Sequence, residues 1–287
     1  MIRTLRGTFR LVSLGHAFFK YKKKILNAPV EKRQEAFHEM IARLHNIFNI
    51  KVNVIGTPLG NTGRPTMYAI NHVSNLDGLI VNGPIENASN IADSGVADWK
   101  FMSVGPLARA LDTVFVQHVG KKISDEEKAR IVQETCDAAQ APFDKGSNLI
   151  LFPEGTMSDG AQLLKFRPAI FSLAYREGNE NLAIQPVVLE VASVDGQPVP
   201  KGEFSELRER YARYTKETVD LGNGKKKYIS NKSMLALIWD MATNKEIVFD
   251  LTFLPEMDKN AYHDHVELAG ATRAAIGKTM DLEEFKP

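Results

Sequence analysis

Apolar residues in the first fifty positions recur at helical spacing. Ile2, Leu5, Phe9, Val12 and Phe19 stand three, four or seven apart, and Phe37, Met40, Ile41, Leu44 and Ile47 repeat the pattern. Between the two runs lie Asn27, Ala28 and Pro29, and a proline neither continues a helix nor lets its predecessor remain helical. The pattern predicts two helices, forming an N-terminal arm over residues 1–50. Arg3, Arg6 and Arg10 make a separate basic stripe on the first helix, and Arg33, Glu39 and Arg43 lie opposite the apolar face of the second. From Lys51 the texture changes to short apolar runs separated by helical patterns, an α/β signature. Strands are predicted at Val52–Ile55, Met67–Ile70, Thr113–Val116, Asn148–Phe152, Ile184–Val191 and Ile247–Phe253. Ser124 with Glu127 three residues later forms a capping box that starts a helix running to about residue 141. A last helix is expected over about residues 261–280. Asp195-Gly196 and Asn223-Gly224 are hairpin signals, and the polar stretch 197–232 reads as a surface excursion. The expected fold class is therefore α/β, a mixed sheet flanked by helices, spanning residues 51–287 behind the helical arm.

Charge sharpens this division. The chain of 287 residues has a net charge of only +1, yet residues 1–51 hold eleven Lys and Arg against three Glu, a local +8 that leaves −7 for the remainder. A basic arm on an acidic body points to a polyanionic partner, nucleic acid or an anionic membrane surface. The arm's basic residues alternate with large apolar ones and lack base-stacking or groove-reading motifs, so no nucleic-acid partner is expected. Lys20, Lys22, Lys23 and Lys24 beside apolar residues instead fit an interfacial helix, its apolar face entering the lipid boundary and its amines meeting headgroups. Deletion of residues 1–24 is then expected to weaken vesicle binding more than it harms the fold. The uncharged stretch Leu11–Phe19 is too short to cross a bilayer and lacks a small-residue cleavage site. The expected location is the cytoplasmic face of a membrane, peripheral or monotopic, without a full transmembrane helix. The single cysteine, Cys136, excludes an internal disulfide and sits in a helical pattern that favours a buried thiol.

Polar residues concentrate at the ends of two predicted strands. Asn71-His72-Val73-Ser74-Asn75-Leu76-Asp77 follows the second, and Phe152-Pro153-Glu154-Gly155-Thr156 follows the fourth. On a regular helix, residues five apart do not share a face, so His72 and Asp77 meet only if a turn precedes the helix. If they meet, Asp77 fixes the imidazole tautomer and His72 becomes a base whose protonated form is stabilised. No Gly-x-Ser-x-Gly elbow supplies a serine nucleophile, so such a pair would activate a hydroxyl of the substrate. Glu154, between a stiffening proline and a permissive glycine, is a held carboxylate suited to a hydroxyl-bearing acceptor. Neighbouring amides are suited to an oxyanion. His263 and His265 offer no identifiable third ligand, and no metal is expected there.

Together the two segments resemble the glycerolipid acyltransferase family that includes 1-acylglycerol-3-phosphate acyltransferases. Asn71, His72 and Asp77 match its first motif, and Phe152 to Thr156 its third. Lys100 and Gly105-Pro106, ahead of Val114-Phe115-Val116, look like the second, and Ile184-Gln185-Pro186-Val187 like the fourth. The resemblance implies acyl transfer from acyl-coenzyme A or acyl carrier protein, used as a co-substrate without a bound cofactor, to a lysolipid hydroxyl. In this picture His72 is the general base and Asp77 orients it. Asn71, Glu154, Gly155, Thr156, Lys100, His118 and Arg167 would line the substrate site. Two departures bear on the acceptor. His118 stands where the second motif usually has a phosphate-binding arginine, and Met157-Ser158-Asp159-Gly160 replaces the usual arginine after the threonine. That continuation, with Lys165-Phe166-Arg167, looks more like members acting on lyso-ornithine or related lysolipids, and Arg167 is a candidate replacement cation. Two other readings remain at this point: a catalytically idle lipid-binding module on the same scaffold, and a metal-assisted hydrolase using His72, Asp77 and Glu154 as ligands.

Overall fold

The computed structural model describes residues 2–98, 104–117, 124–202, 205–212, 218–220, 226–228 and 233–285. The elements in chain order begin with the arm, α1 (Ile2–Asn27) and α2 (Val30–Phe48). Then follow β1 (Ile50–Ile55), β2 (Thr66–Ile70), α3 (Asp77–Val81), β3 (Ala88–Asp93), α4 (Val104–Ala110), β4 (Val114–Val116), α5 (Asp125–Asp144) and β5 (Asn148–Leu151). The second half holds β6 (Ala183–Val194), β7 (Gln197–Pro198), α6 (Glu206–Glu209), β8 (Thr218–Asp220), β9 (Lys226–Tyr228), α7 (Met234–Thr243), β10 (Ile247–Phe253) and α8 (His265–Thr279).

Every residue of β2 is buried, because the strand lies mid-sheet and is covered on both faces. Its alternating side chains divide between two cores: Tyr68 and Ile70 pack with residues of α3 and α7, and Met67 and Ala69 with residues of α5 and α8. The strand order is β1, β10, β6, β2, β5, β3, β4, with β7 added to β6. Among the described residues of this sheet only the β10/β6 and β6/β7 pairs are antiparallel, so it is mixed as expected, and β8 and β9 pair antiparallel apart from it. β2 and β5 are parallel neighbours, which brings their C-terminal ends, and the two polar segments that follow them, to the same edge.

Side-chain caps set the N-termini of α5, α6, α7 and α8. Ser124 accepts the Glu127 amide at 3.2 Å and starts α5 where the capping box predicts. The last helix begins later than expected, at His265, because Asp264 accepts the amides of Val266 and Glu267 and fixes the N-terminus there. The Asp195-Gly196 turn joins β6 to β7 with both residues at positive φ. Asn223-Gly224 lies outside the described residues. β3 was not anticipated: its sequence, ASNIAD, carries no apolar run, and pairing between β5 and β4 holds it in the sheet. The stretch 197–232 is not wholly a surface excursion, since Val199, Arg208, Tyr211 and Ala212 are buried.

The arm is integral to the body. α2 buries Phe37, Met40, Ile41, Leu44, Ile47 and Phe48, and its His45 Nε2 lies 2.7 Å from the Leu79 carbonyl. α1 has two faces with different fates. Ala17, Phe18 and Ile25 are buried, and Gly7 meets α7 so closely that a β-carbon would lie 2.8 Å from Thr243 Cγ2. Opposite them, Ile2, Leu5, Phe9, Val12 and Phe19 are all exposed, Phe9 to 74%. The basic stripe does not face outward as a unit. Arg6 donates to the Thr243 carbonyl at 3.0 Å, and Arg10 to those of Ala242, Asn244 and Lys245, where α7 ends. These two arginines cap a helix C-terminus, and removing residues 1–24 would strip buried side chains from the core.

Candidate active site

His72 and Asp77 meet. After β2 the chain makes a turn in which Asp77 N bonds to Ser74 O at 3.1 Å, and Asp77 then opens the five-residue α3. This turn removes the angular offset a continuous helix would impose. Asp77 Oδ2 lies 2.7 Å from His72 Nδ1 and accepts the amides of Val73 at 2.8 Å and Ser74 at 3.0 Å. Asp77 is fully buried, whereas the His72 side chain keeps 19% of its surface exposed. An acceptor at Nδ1 puts that nitrogen's proton toward Asp77 and leaves Nε2 as the basic atom. The His72 ring also stacks on Phe152 at 4.3 Å between centroids, a contact between the two motif segments.

Glu154 ties those segments together through the backbone. Its Oε1 accepts the His72 amide at 2.7 Å and its Oε2 the Leu164 amide at 2.8 Å. Burial, only partly offset by these donors, pushes its carboxyl up to about 8. With both oxygens engaged by amides, the side chain locks the loop that carries His72 and does not line the cavity described below. Asn71 is similarly committed. It is fully buried and exchanges two hydrogen bonds with the Leu189 backbone, at 2.9 and 2.8 Å, extending the β2/β6 pairing past the strand end. These contacts give both residues structural duties. Ser158 adds a further clamp, its amide donating to the His72 carbonyl at 2.7 Å.

Gly155 and Thr156 do face the cavity. Gly155 adopts a φ of +65°, and the Arg167 side chain lies directly against it. Arg167 is exposed at this rim, its backbone pinned by a 2.8 Å bond to the Pro153 carbonyl. Lys100 and His118 lie outside the described residues. In the second-motif region, Gly105 approaches the Ala97 carbonyl so closely that a β-carbon would lie 2.0 Å from it. Gln185, in the fourth-motif segment, bonds the backbone of Thr57, Leu59 and Leu254 and so fixes the β1–β2 connection.

From His72 an apolar cavity of about 760 Å³ extends between body and arm. Phe18 of α1, Phe37 and Met40 of α2, and Leu107 and Ala108 of α4 are among its walls. Its size falls within the range of small-molecule sites. The arm is expected to dock at a membrane, and the helical period alone does not show its contribution to the cavity wall. Tyr211 was also missed. Its hydroxyl donates to Asp77 Oδ1 at 2.5 Å from a stretch whose low apolar content gave no sign of burial. Cys136 is buried in the helix as expected, and burial raises its thiol above the ordinary range.

A family model described as Acyltransferase matches residues 44–190. Lyso-ornithine lipid O-acyltransferases of Brucella abortus and Rhodobacter capsulatus are each 30% identical to this chain. The first match covers 65% of this chain and 64% of the relative, the second 53% and 52%. A 1-acyl-sn-glycerol-3-phosphate acyltransferase of Neisseria gonorrhoeae is 29% identical over 45% of this chain and 47% of its own. The matched region therefore spans less than two thirds of the length of each of these relatives. The crystal structure of the 1-acyl-sn-glycerophosphate (LPA) acyltransferase PlsC from Thermotoga maritima superposes with a TM-score of 0.58. It is 18% identical and covers 97% of this chain and 94% of that one, a likeness of fold.

Proposed function

Because the chain belongs to the acyltransferase family, we propose that it is a membrane-surface O-acyltransferase, moving an acyl group from a thioester of coenzyme A or acyl carrier protein to a lysolipid hydroxyl. The observation that carries this reading is the His72–Asp77 pair at 2.7 Å opening onto an apolar cavity. Nε2 of His72 takes the acceptor's hydroxyl proton as its oxygen attacks the thioester carbonyl carbon. The tetrahedral intermediate collapses to the ester and expels the thiolate, which receives the proton from the imidazolium. Asp77 stabilises the imidazolium and holds the ring. The Gly155–Thr156 backbone beside His72 is suited to the developing oxyanion.

The cavity is the place for an acyl chain. Arg167 at the rim supplies a cation for an anionic headgroup, with Lys100 and His118 as further candidates. A guanidinium pairs with phosphate or with the carboxylate that an ornithine headgroup carries. The relatives named for lyso-ornithine lipid make that acceptor the first choice and lysophosphatidate the second. A metal-assisted hydrolase is less favoured, because Asp77 and Glu154 spend their oxygens on protein donors. The exposed stripe from Ile2 to Phe19, with Lys20 and Lys23 at its end, supports docking on an anionic bilayer.

The test is acylation of a lysolipid panel with both donor types, followed by mass spectrometry. His72→Ala should lower turnover by about a thousandfold or more while preserving the circular dichroism spectrum. Full activity in that variant overturns the reading.

A further inference from the structure

The segment 205–212 reaches both motif loops from a part of the sequence remote from either. Ser205 caps its short helix by accepting the Arg208 amide at 3.2 Å. Buried Arg208 donates to the carbonyls of Gly160, at 2.5 Å, and Pro200, at 2.6 Å. Three residues on, Tyr211 is 1% exposed, sets its ring edge-on to Phe249 at 4.8 Å and donates its hydroxyl to Asp77 Oδ1. The two carboxylate oxygens of Asp77 thus have different partners. Oδ2 serves His72 and two amides, and Tyr211 is the donor the structure gives to Oδ1. Asp77 has no surface open to water, so without the phenol Oδ1 would be a charged acceptor left unpaired.

We infer that Tyr211 is a positioning residue of the catalytic pair: its O–H fixes the rotation of the Asp77 carboxylate and shares its charge, setting how tightly Asp77 holds protonated His72. This rests on His72 being the base. Tyr211 does not line the cavity, so its action passes through Asp77. Among the described residues, the charged and titratable neighbours are few. His72 and Tyr211 contact Asp77 directly, the Ser74 hydroxyl approaches the Tyr211 phenol, and Glu154 feels the Asp77 charge and that of Arg273 on α8. Removing the phenol concentrates negative charge on Oδ2. The imidazolium is then held more firmly, and the acid limb of the kcat/KM profile moves to higher pH.

Tyr211→Phe keeps the ring and its contact with Phe249. The full chain is assayed across pH with the donor and acceptor that the wild type turns over, beside His72→Ala. For Tyr211→Phe, kcat falls about 10- to 100-fold, the loss expected for one charge-assisted hydrogen bond. KM for either substrate stays within about twofold, and the acid limb shifts upward. A merely structural role would lower the melting temperature and leave the limb in place. If Tyr211→Phe does not accumulate as folded protein, Phe249→Leu, which loosens the ring's seat, must move the limb in the same direction. An unmoved limb with wild-type kcat, His72→Ala being inactive, overturns the role of Tyr211 alone. An active His72→Ala overturns the underlying base assignment.

Discussion

A β-carbon placed on Gly155 would lie 2.4 Å from Arg167 Nε. The left-handed backbone of the third-motif glycine and the rim guanidinium thus occupy one tight contact. Gly155→Ala is expected to displace Arg167 and to add about 1–2 kcal/mol of backbone strain at a φ of +65°. Arg167→Ala leaves the backbone alone and isolates the charge. Its KM for an anionic acceptor should rise about tenfold, with donor KM unchanged. Salt should raise acceptor KM in the wild type and do so less in the variant, because screening acts on the missing pair. Equal acceptor KM in both proteins at low salt would remove Arg167 from the headgroup site.

Glu154 makes a second prediction, with a sign that can be worked out. Its carboxyl sits at about 8 in the folded chain against 4.5 ordinarily, so between those values the folded form holds a proton that the unfolded chain has released. That contribution to stability is fully present below 4.5 and is lost as pH rises through about 8. Urea unfolding at pH 5, 7 and 9 should show wild-type stability declining with pH relative to Glu154→Gln. At pH 5 the variant should be weaker by about 1–3 kcal/mol, because an amide nitrogen would face either the His72 or the Leu164 N–H, and that deficit should shrink and then reverse as pH rises through about 8. Parallel pH dependence in the two proteins would contradict the burial of a neutral carboxyl.

The sheet and the His72–Asp77 pair were legible in the sequence for a physical reason. β2 and β5 are buried on both faces and therefore read as apolar runs, and the polar groups at their ends stand out against that background. Partners chosen by tertiary geometry left no such mark. β3 owes its conformation to its neighbours, and Tyr211 meets Asp77 across 134 residues. The periodicity of α1 predicted an amphipathic helix but could not say that Arg6 and Arg10 would cap α7. Glu154 and Asn71 were identified as site residues, yet composition alone could not show that backbone amides and carbonyls would claim their polar atoms. Lys100 and His118 remain expectations from motif position.

The proposed membrane docking and the folding of the chain draw on different faces of α1. Phe9→Ser and Leu5→Ser alter only exposed apolar surface. Each should weaken binding to anionic vesicles about 10- to 150-fold, as burial in lipid is worth about 1.5–3 kcal/mol per large side chain, with little change in melting temperature. Arg10→Ala should do the reverse, costing about 1 kcal/mol of stability through the carbonyls it leaves at the α7 terminus and sparing vesicle binding. Sedimentation with vesicles and thermal unfolding of the same preparations distinguish the two classes. Unaltered sedimentation of both serine variants would remove the exposed stripe from the docking surface.

Ala108 tests the use of the cavity. It lines the wall from α4, half-buried, and faces the same space as Phe18 and Phe37 of the arm. Ala108→Leu adds branched bulk to that wall without introducing a polar atom, so the volume available to an acyl chain shrinks while the His72–Asp77 pair is untouched. Each methylene that no longer finds a place costs about 0.8 kcal/mol, or about fourfold in relative kcat/KM. In competition between donors differing only in chain length, the product spectrum should move toward shorter chains, with kcat for the shortest donor retained. Mass spectrometry of the acylated lipid reads this ratio directly. A product distribution identical to wild type would mean that the acyl chain follows another path from His72.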